Sequence, residues 1–169
     1  KMAYMIGAGQ QQAEIAQRAR ENFAVLVENV QVLTKRTESD VKWFAEQRDA
    51  YSKLFAEGRA LEERIEKDRR RRADPDIIYV SQDALYEVND RVWDLDGIIS
   101  NRVSTIRSIR INIENASKKL KEDCPADGAN SANDFCIRVK ALEAEFESVI
   151  AESRKAFDEL AAYRETVKL

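Results

Sequence analysis

Apolar residues recur at alternating steps of three and four along almost the whole chain, the pattern of helices that share a seam. Between Gly9 and Asp74 the register reads Ala16, Ala19, Phe23, Leu26, Val30, Leu33, Thr37, Asp40, Phe44, Gln47, Tyr51, Leu54, Gly58, Leu61 and Ile65, with no proline and with Gly58 as the single glycine. The unbroken phase predicts one helix of ~64 residues, about 95 Å long at 1.5 Å per residue. Two seam positions, Thr37 and Asp40, are polar, and the run Thr34 to Asp40 offers Thr and Ser caps ahead of acidic residues, so a bend or break there competes with continuity.

Asp74-Pro75 closes the first element, because proline disfavours helix in the residue before it, and Ser81 followed by Asp83 predicts the next N-terminus. The second register is the cleanest: Leu85, Val88, Val92, Leu95, Ile99, Arg102, Ile106, Ile109, Ile113, Ala116, Leu120. Cys124 to Asn133 is a loop by composition, with Pro125, Gly128 and several Asx and Ser residues. A last stripe follows: Phe135, Val139, Leu142, Phe146, Val149, Ser153, Ala156, Leu160, Tyr163, Val167.

These stripes predict an all-α, elongated antiparallel helical bundle forming a single domain over residues 1–169. Three long helices, at about 38–72, 81–122 and 133–168, can share a core by themselves. The first 33 residues then carry surplus apolar surface in Phe23 to Leu33. They either continue the first helix, fold back as a fourth, or pair with a second copy to make a homo-oligomer through residues 1–33.

Composition agrees with helices: charged residues are 35% and hydrophobic residues 44% of the chain, with five glycines and two prolines. The formal net charge of −3 gives no field to gather nucleic acid or anionic lipid, and no apolar run is long enough to span a bilayer. The mildly apolar start, Lys1 to Gly9, is too short and poorly organised for a signal peptide.

Candidate chemistry is sparse. The chain has no histidine, which removes His-dependent nucleophilic catalysis and His-ligated metal sites, and two cysteines cannot complete a zinc site. Glu143, Glu145 and Glu147 alternate and so scatter around a helix as a solvated face. Asp94-Leu95-Asp96-Gly97 has the look of part of a calcium loop, but the ligand register fails and the heptads run through it. Gly7-Ala8-Gly9 lacks the strand and third glycine of a nucleotide site. The chain is therefore read as a non-enzyme without cofactor or metal. Asn115-Ala116-Ser117 is a glycosylation sequon that matters only in a eukaryotic secretory pathway.

Three features point outward. Cys124 and Cys136, the only cysteines, flank the one loop between two helices, where a disulfide would pin a helical hairpin and indicate an extracytoplasmic setting: periplasmic, secreted or cell-surface. Arg69, Arg70, Arg71 and Arg72 end the first helix, either as cations favoured by its dipole or as an anionic contact. Tyr79, Tyr86 and Trp93 stand seven apart, one position beyond the seam residues Ile78, Leu85 and Val92. They either receive another helix of the bundle or anchor a protein partner. The expected function is a protein-binding module, as in a surface receptor, adhesin or secretion-apparatus component. The alternatives are a secreted or periplasmic inhibitor or immunity protein that occludes an enzyme, and a cytosolic coiled-coil scaffold.

Overall fold

The computed structural model describes residues 2–122 and 134–168, and among them there are three helices and no strand: α1 (Met2–Arg70), α2 (Pro75–Glu122) and α3 (Asp134–Val167). The protein is an all-α helical bundle with the chain running up, down and up. Cross-helix contacts give the directions. Asp40 meets Arg102 and Glu57 meets Arg91, so α1 and α2 are antiparallel, while Phe44 meets Phe157 and Arg59 meets Val167, so α1 and α3 are parallel.

The competition between a bend and continuity at 34–40 is resolved in favour of one helix of 69 residues. The two threonines that could have capped a new helix do something else. Thr34 donates its hydroxyl to the Val30 carbonyl at 2.9 Å and Thr37 to the Leu33 carbonyl at 2.8 Å. These bonds to the preceding turn satisfy the hydroxyls within a helix and let Thr37 occupy a buried seam position. The N-terminal segment accordingly continues the first helix and does not fold back.

The α1–α2 turn corrects the expected start of α2 at Ser81. Asp74 is the cap: its side chain accepts from the Asp76 amide at 3.0 Å, its carbonyl accepts from Ile77 at 3.0 Å, and Pro75 takes the first helical position, where its missing N–H costs nothing. Ser81 instead is buried inside α2. On the other side of the turn, Ala73 donates to the Asp68 carbonyl and Arg72 to that of Arg69, a closure that puts Arg72 at a φ of 55°.

Tertiary contacts divide the molecule into two compact units, residues 1–38 with 107–152 and residues 39–106 with 153–169. In the first, Leu26, Val30 and Leu33 of α1 pack on Ile113 of α2 and on Val139, Phe146 and Val149 of α3. The apolar run Phe23 to Leu33 thus finds cover for its seam within the chain, while Val25 and Val32 remain exposed. In the second unit, Phe44, Tyr51 and Phe55 of α1 pack on Val92 and Ile99 of α2 and Leu160 of α3. Phe44 lies 6.0 Å from Phe157 and Tyr51 stacks on Phe55 at 5.9 Å between centroids.

One charge is built into this second core. Asp40 is 1% exposed and its carboxylate is 3.0 Å from the Arg102 guanidinium, which also lies over the Trp43 ring at 4.4 Å. Removing the cation alone takes the Arg102 counter-charge away from a buried carboxylate. Arg102→Ala should lower stability by about 3 kcal/mol, whereas the double change Asp40→Leu with Arg102→Leu should be close to neutral. Urea unfolding of the three proteins checks this, and additive losses in the double variant would refute the coupling.

Candidate partner-binding face

The row Tyr79, Tyr86 and Trp93 lies on the outer side of α2. A seven-residue step turns an α-helix by about −20° from a whole number of turns, so residues at this spacing stay in one stripe. That stripe is offset by one residue from the buried seam of Val88 and Val92. The offset is sufficient to expose it: Tyr79 is 60%, Tyr86 69% and Trp93 80% exposed. Among the described residues no helix covers these rings, so they do not receive another helix of the bundle. Ile77 and Val80 beside them are exposed as well, and so are the carboxylates of Asp83, Glu87, Asp90 and Asp94. Large amphipathic rings held on a rigid helix, with polar neighbours, are the composition of an interface anchor.

The arginine run does not act as one cluster. Arg70 binds Glu66 at 2.6 Å and Arg71 binds Asp68 at 2.9 Å, while Arg72 is held at the left-handed turn position. Arg69 is different, because it lines a groove of about 570 Å³ together with Glu62, Ile65, Glu66, Gln82, Leu85 and Tyr86. The fold therefore brings Arg69 and Tyr86 together and neutralises Arg70 and Arg71 locally.

Cys124 lies outside the described residues, as does the loop around it, so the Cys124–Cys136 pair is a proposal taken up below. Cys136 itself is 4% exposed in the first turn of α3. Nearby in the same unit, Ser117 is buried and donates to Glu143 at 3.1 Å. Glu143 thus faces inward, unlike Glu145 and Glu147, which are exposed. Asp94 to Gly97 is helix, in agreement with the heptads. Among the described residues no group of His, Cys, Asp and Glu could hold a metal ion, and no helix is long and apolar enough to cross a membrane.

Pattern reading missed the polar network of the second unit. Tyr51 donates its hydroxyl to Asp96, and Arg164 holds the same carboxylate with two bonds of 2.8 Å, so one acidic side chain ties all three helices. The Arg164 guanidinium is 5.6 Å from the Tyr51 ring centre. Ser52 bonds the Tyr163 hydroxyl, over whose ring Arg48 lies at 5.0 Å. The signal for this network is weak in sequence, since Asp96 and Arg164 each sit one position past a seam residue, where charged residues are ordinary. Burial, with the negative charge of Asp96 added to it, raises the Tyr51 pKa well above the usual phenol value, and the bond to Asp96 raises that of Arg164.

No protein-family model matches the chain, and neither a curated protein nor a solved structure resembles it. Function has to be argued from its own surfaces.

The raised Tyr51 pKa makes a signed prediction. Above pH ~10 the unfolded chain ionises this phenol while the folded chain keeps it protonated, so its contribution is full below that pH and is lost on going higher, by about 1.4 kcal/mol per unit. Tyr51→Phe should be about 1 kcal/mol less stable than the parent at pH 7, and the gap should close on titration towards pH 11. Chemical denaturation at the two pH values checks it, and a gap that stays constant would contradict the assignment.

Proposed function

We propose that the protein is a non-enzymatic, extracytoplasmic binding module, a receptor, adhesin or secretion-apparatus component, in which the bundle holds a contact surface rigid for a protein partner. The observation that carries this reading is the exposure of Trp93, Tyr86 and Tyr79 in one stripe of α2. A soluble helix has no structural use for a tryptophan in water, and its burial on binding is worth far more than that of the polar residues around it. Arg69 adds the electrostatic contribution from the run Arg69 to Arg72, since it borders Tyr86 in the same groove.

The extracytoplasmic part rests on Cys124 and Cys136. Two cysteines that flank one segment of loop-forming composition can be joined by a disulfide. Such a bond would stabilise the hairpin by roughly 3 kcal/mol in the chain-entropy model. Oxidising compartments retain such bonds.

Trp93→Ala tests the contact face. Because the ring is exposed, the thermal melt should shift by less than the equivalent of about 0.5 kcal/mol. Partner capture from the envelope or medium of the source should weaken about 30-fold, the loss expected of an interface anchor worth ~2 kcal/mol. A large fall in melting temperature with capture unchanged would mean that Trp93 packs within the protein. The compartment has its own readout: protein taken from its native location, alkylated without reduction, should carry no adduct on either cysteine. Alkylation of both would refute the extracytoplasmic reading and leave the contact face standing.

A further inference from the structure

The groove beside the α1–α2 turn continues the seat that α3 occupies in the same unit. On α1, Phe44, Tyr51 and Phe55 face the α3 core residues. Seven-residue steps carry that face onward: Tyr51 leads through Gly58 to Ile65, and Phe55 leads through Glu62 to Arg69. Val167 of α3 accepts a bond from Arg59 at 2.5 Å, and none of the residues lining the groove belongs to α3. From Glu62 to Arg69 the hairpin is thus a pair of helices whose third face is open, with Ile65 and Leu85 as its apolar floor and Tyr86 at its rim.

The charges along this floor select an occupant. Glu62 and Arg69 stand one heptad apart, on either side of Ile65 and Glu66, and both are exposed. Among the described residues neither makes an ion pair, in contrast to Glu66, which is held by Arg70. A row that reads acid, apolar, base along one helix is its own complement when reversed. Two antiparallel copies related by a two-fold axis between positions 65 and 66 would set Glu62 of each against Arg69 of the other. A basic or an acidic partner helix would satisfy one of these charges and oppose the other.

We infer that the groove is a self-docking surface, in which the α1–α2 hairpins of two copies of this chain pair to complete a four-helix arrangement with reciprocal Glu62–Arg69 contacts. The isologous contact closes on itself, so it yields a dimer and no larger array. It shares Tyr86 and Arg69 with the partner contact proposed above but not Trp93, so Trp93→Ala distinguishes the two.

Sedimentation of the full chain over a range of concentrations provides the test. The parent should be a dimer in reversible equilibrium with monomer. Glu62→Arg and Arg69→Glu, each of which sets like charges together, should each raise the dimer dissociation constant by about tenfold or more. The combined swap of Glu62→Arg with Arg69→Glu should restore it, because every cross-copy pair is regained. Circular dichroism of the variants should be unchanged, both side chains being exposed, and Trp93→Ala should dimerise as the parent does. A parent chain that stays monomeric throughout, single variants that dimerise normally, or a double variant as weak as the singles would overturn the inference.

Discussion

A carboxylate buried in the seam of a helical bundle can be matched by a cation at one height only, and Asp40 meets that demand through Arg102. Both residues occupy seam positions that would otherwise hold apolar side chains. Sliding α1 against α2 by a heptad would preserve much of the hydrophobic contact but would leave Asp40 facing Leu95 or Ile109 in place of Arg102. The pair thus sets the register of the antiparallel helices in the second unit, the role best attested for polar groups in coiled-coil cores. Trp43, about one turn from Asp40, lies under a face of the same guanidinium, whose Nε edge is turned to the carboxylate.

A second polar cluster acts further along the same unit. Asp96 accepts from Tyr51 and Arg164, so that α1, α2 and α3 meet on one side chain. Its bonds are directional where the surrounding Leu, Ile and Val contacts are not, and they fix the rotation of α3 as well as its height. In the first unit the core is mainly aliphatic, with Phe146 buried and Phe23 packed against it, and its buried hydroxyls at Thr37 and Ser117 are satisfied by a backbone carbonyl and by Glu143. The Asp40–Arg102 pair and the Asp96 cluster both lie in residues 39–106 and 153–169, the unit that carries the surfaces proposed for contact.

Those surfaces follow from the same geometry. α2 buries the stripe of Val88, Val92 and Ile99, and the residues one position further round the helix are left outside it. Exposed Tyr86 and Trp93 give that outer side an apolar character that the fold does not use. The groove at the α1–α2 turn arises because the seam of α1 continues apolar as far as Ile65, past the level at which α3 contacts Arg59.

Periodicity in the sequence determined most of the architecture. The seams named from spacing alone include the buried residues Leu26, Val30, Leu33, Phe44, Tyr51, Val88, Val92, Ile99, Ile113, Val139, Phe146 and Leu160, because a heptad repeat permits only one face of a helix to be buried. The break at Asp74-Pro75 was legible too, but the start of α2 was expected at Ser81, because Ser81 offers the same capping chemistry as Asp74 and only the structure shows which residue bonds the first amides. Continuity through Thr34 to Asp40 was decided only by tertiary structure. A threonine hydroxyl can cap a new helix or bond back into the old one, and packing of Leu33 and Phe44 on the same stripe selects the second. Exposure of the aromatic row was likewise beyond the sequence, since a residue beside the seam is covered or bare according to where the neighbouring helix lies. The Asp96 network had the least signal of all: the partners of a charge at the edge of a seam lie 45 and 68 residues away, and only the fold brings them within bonding distance.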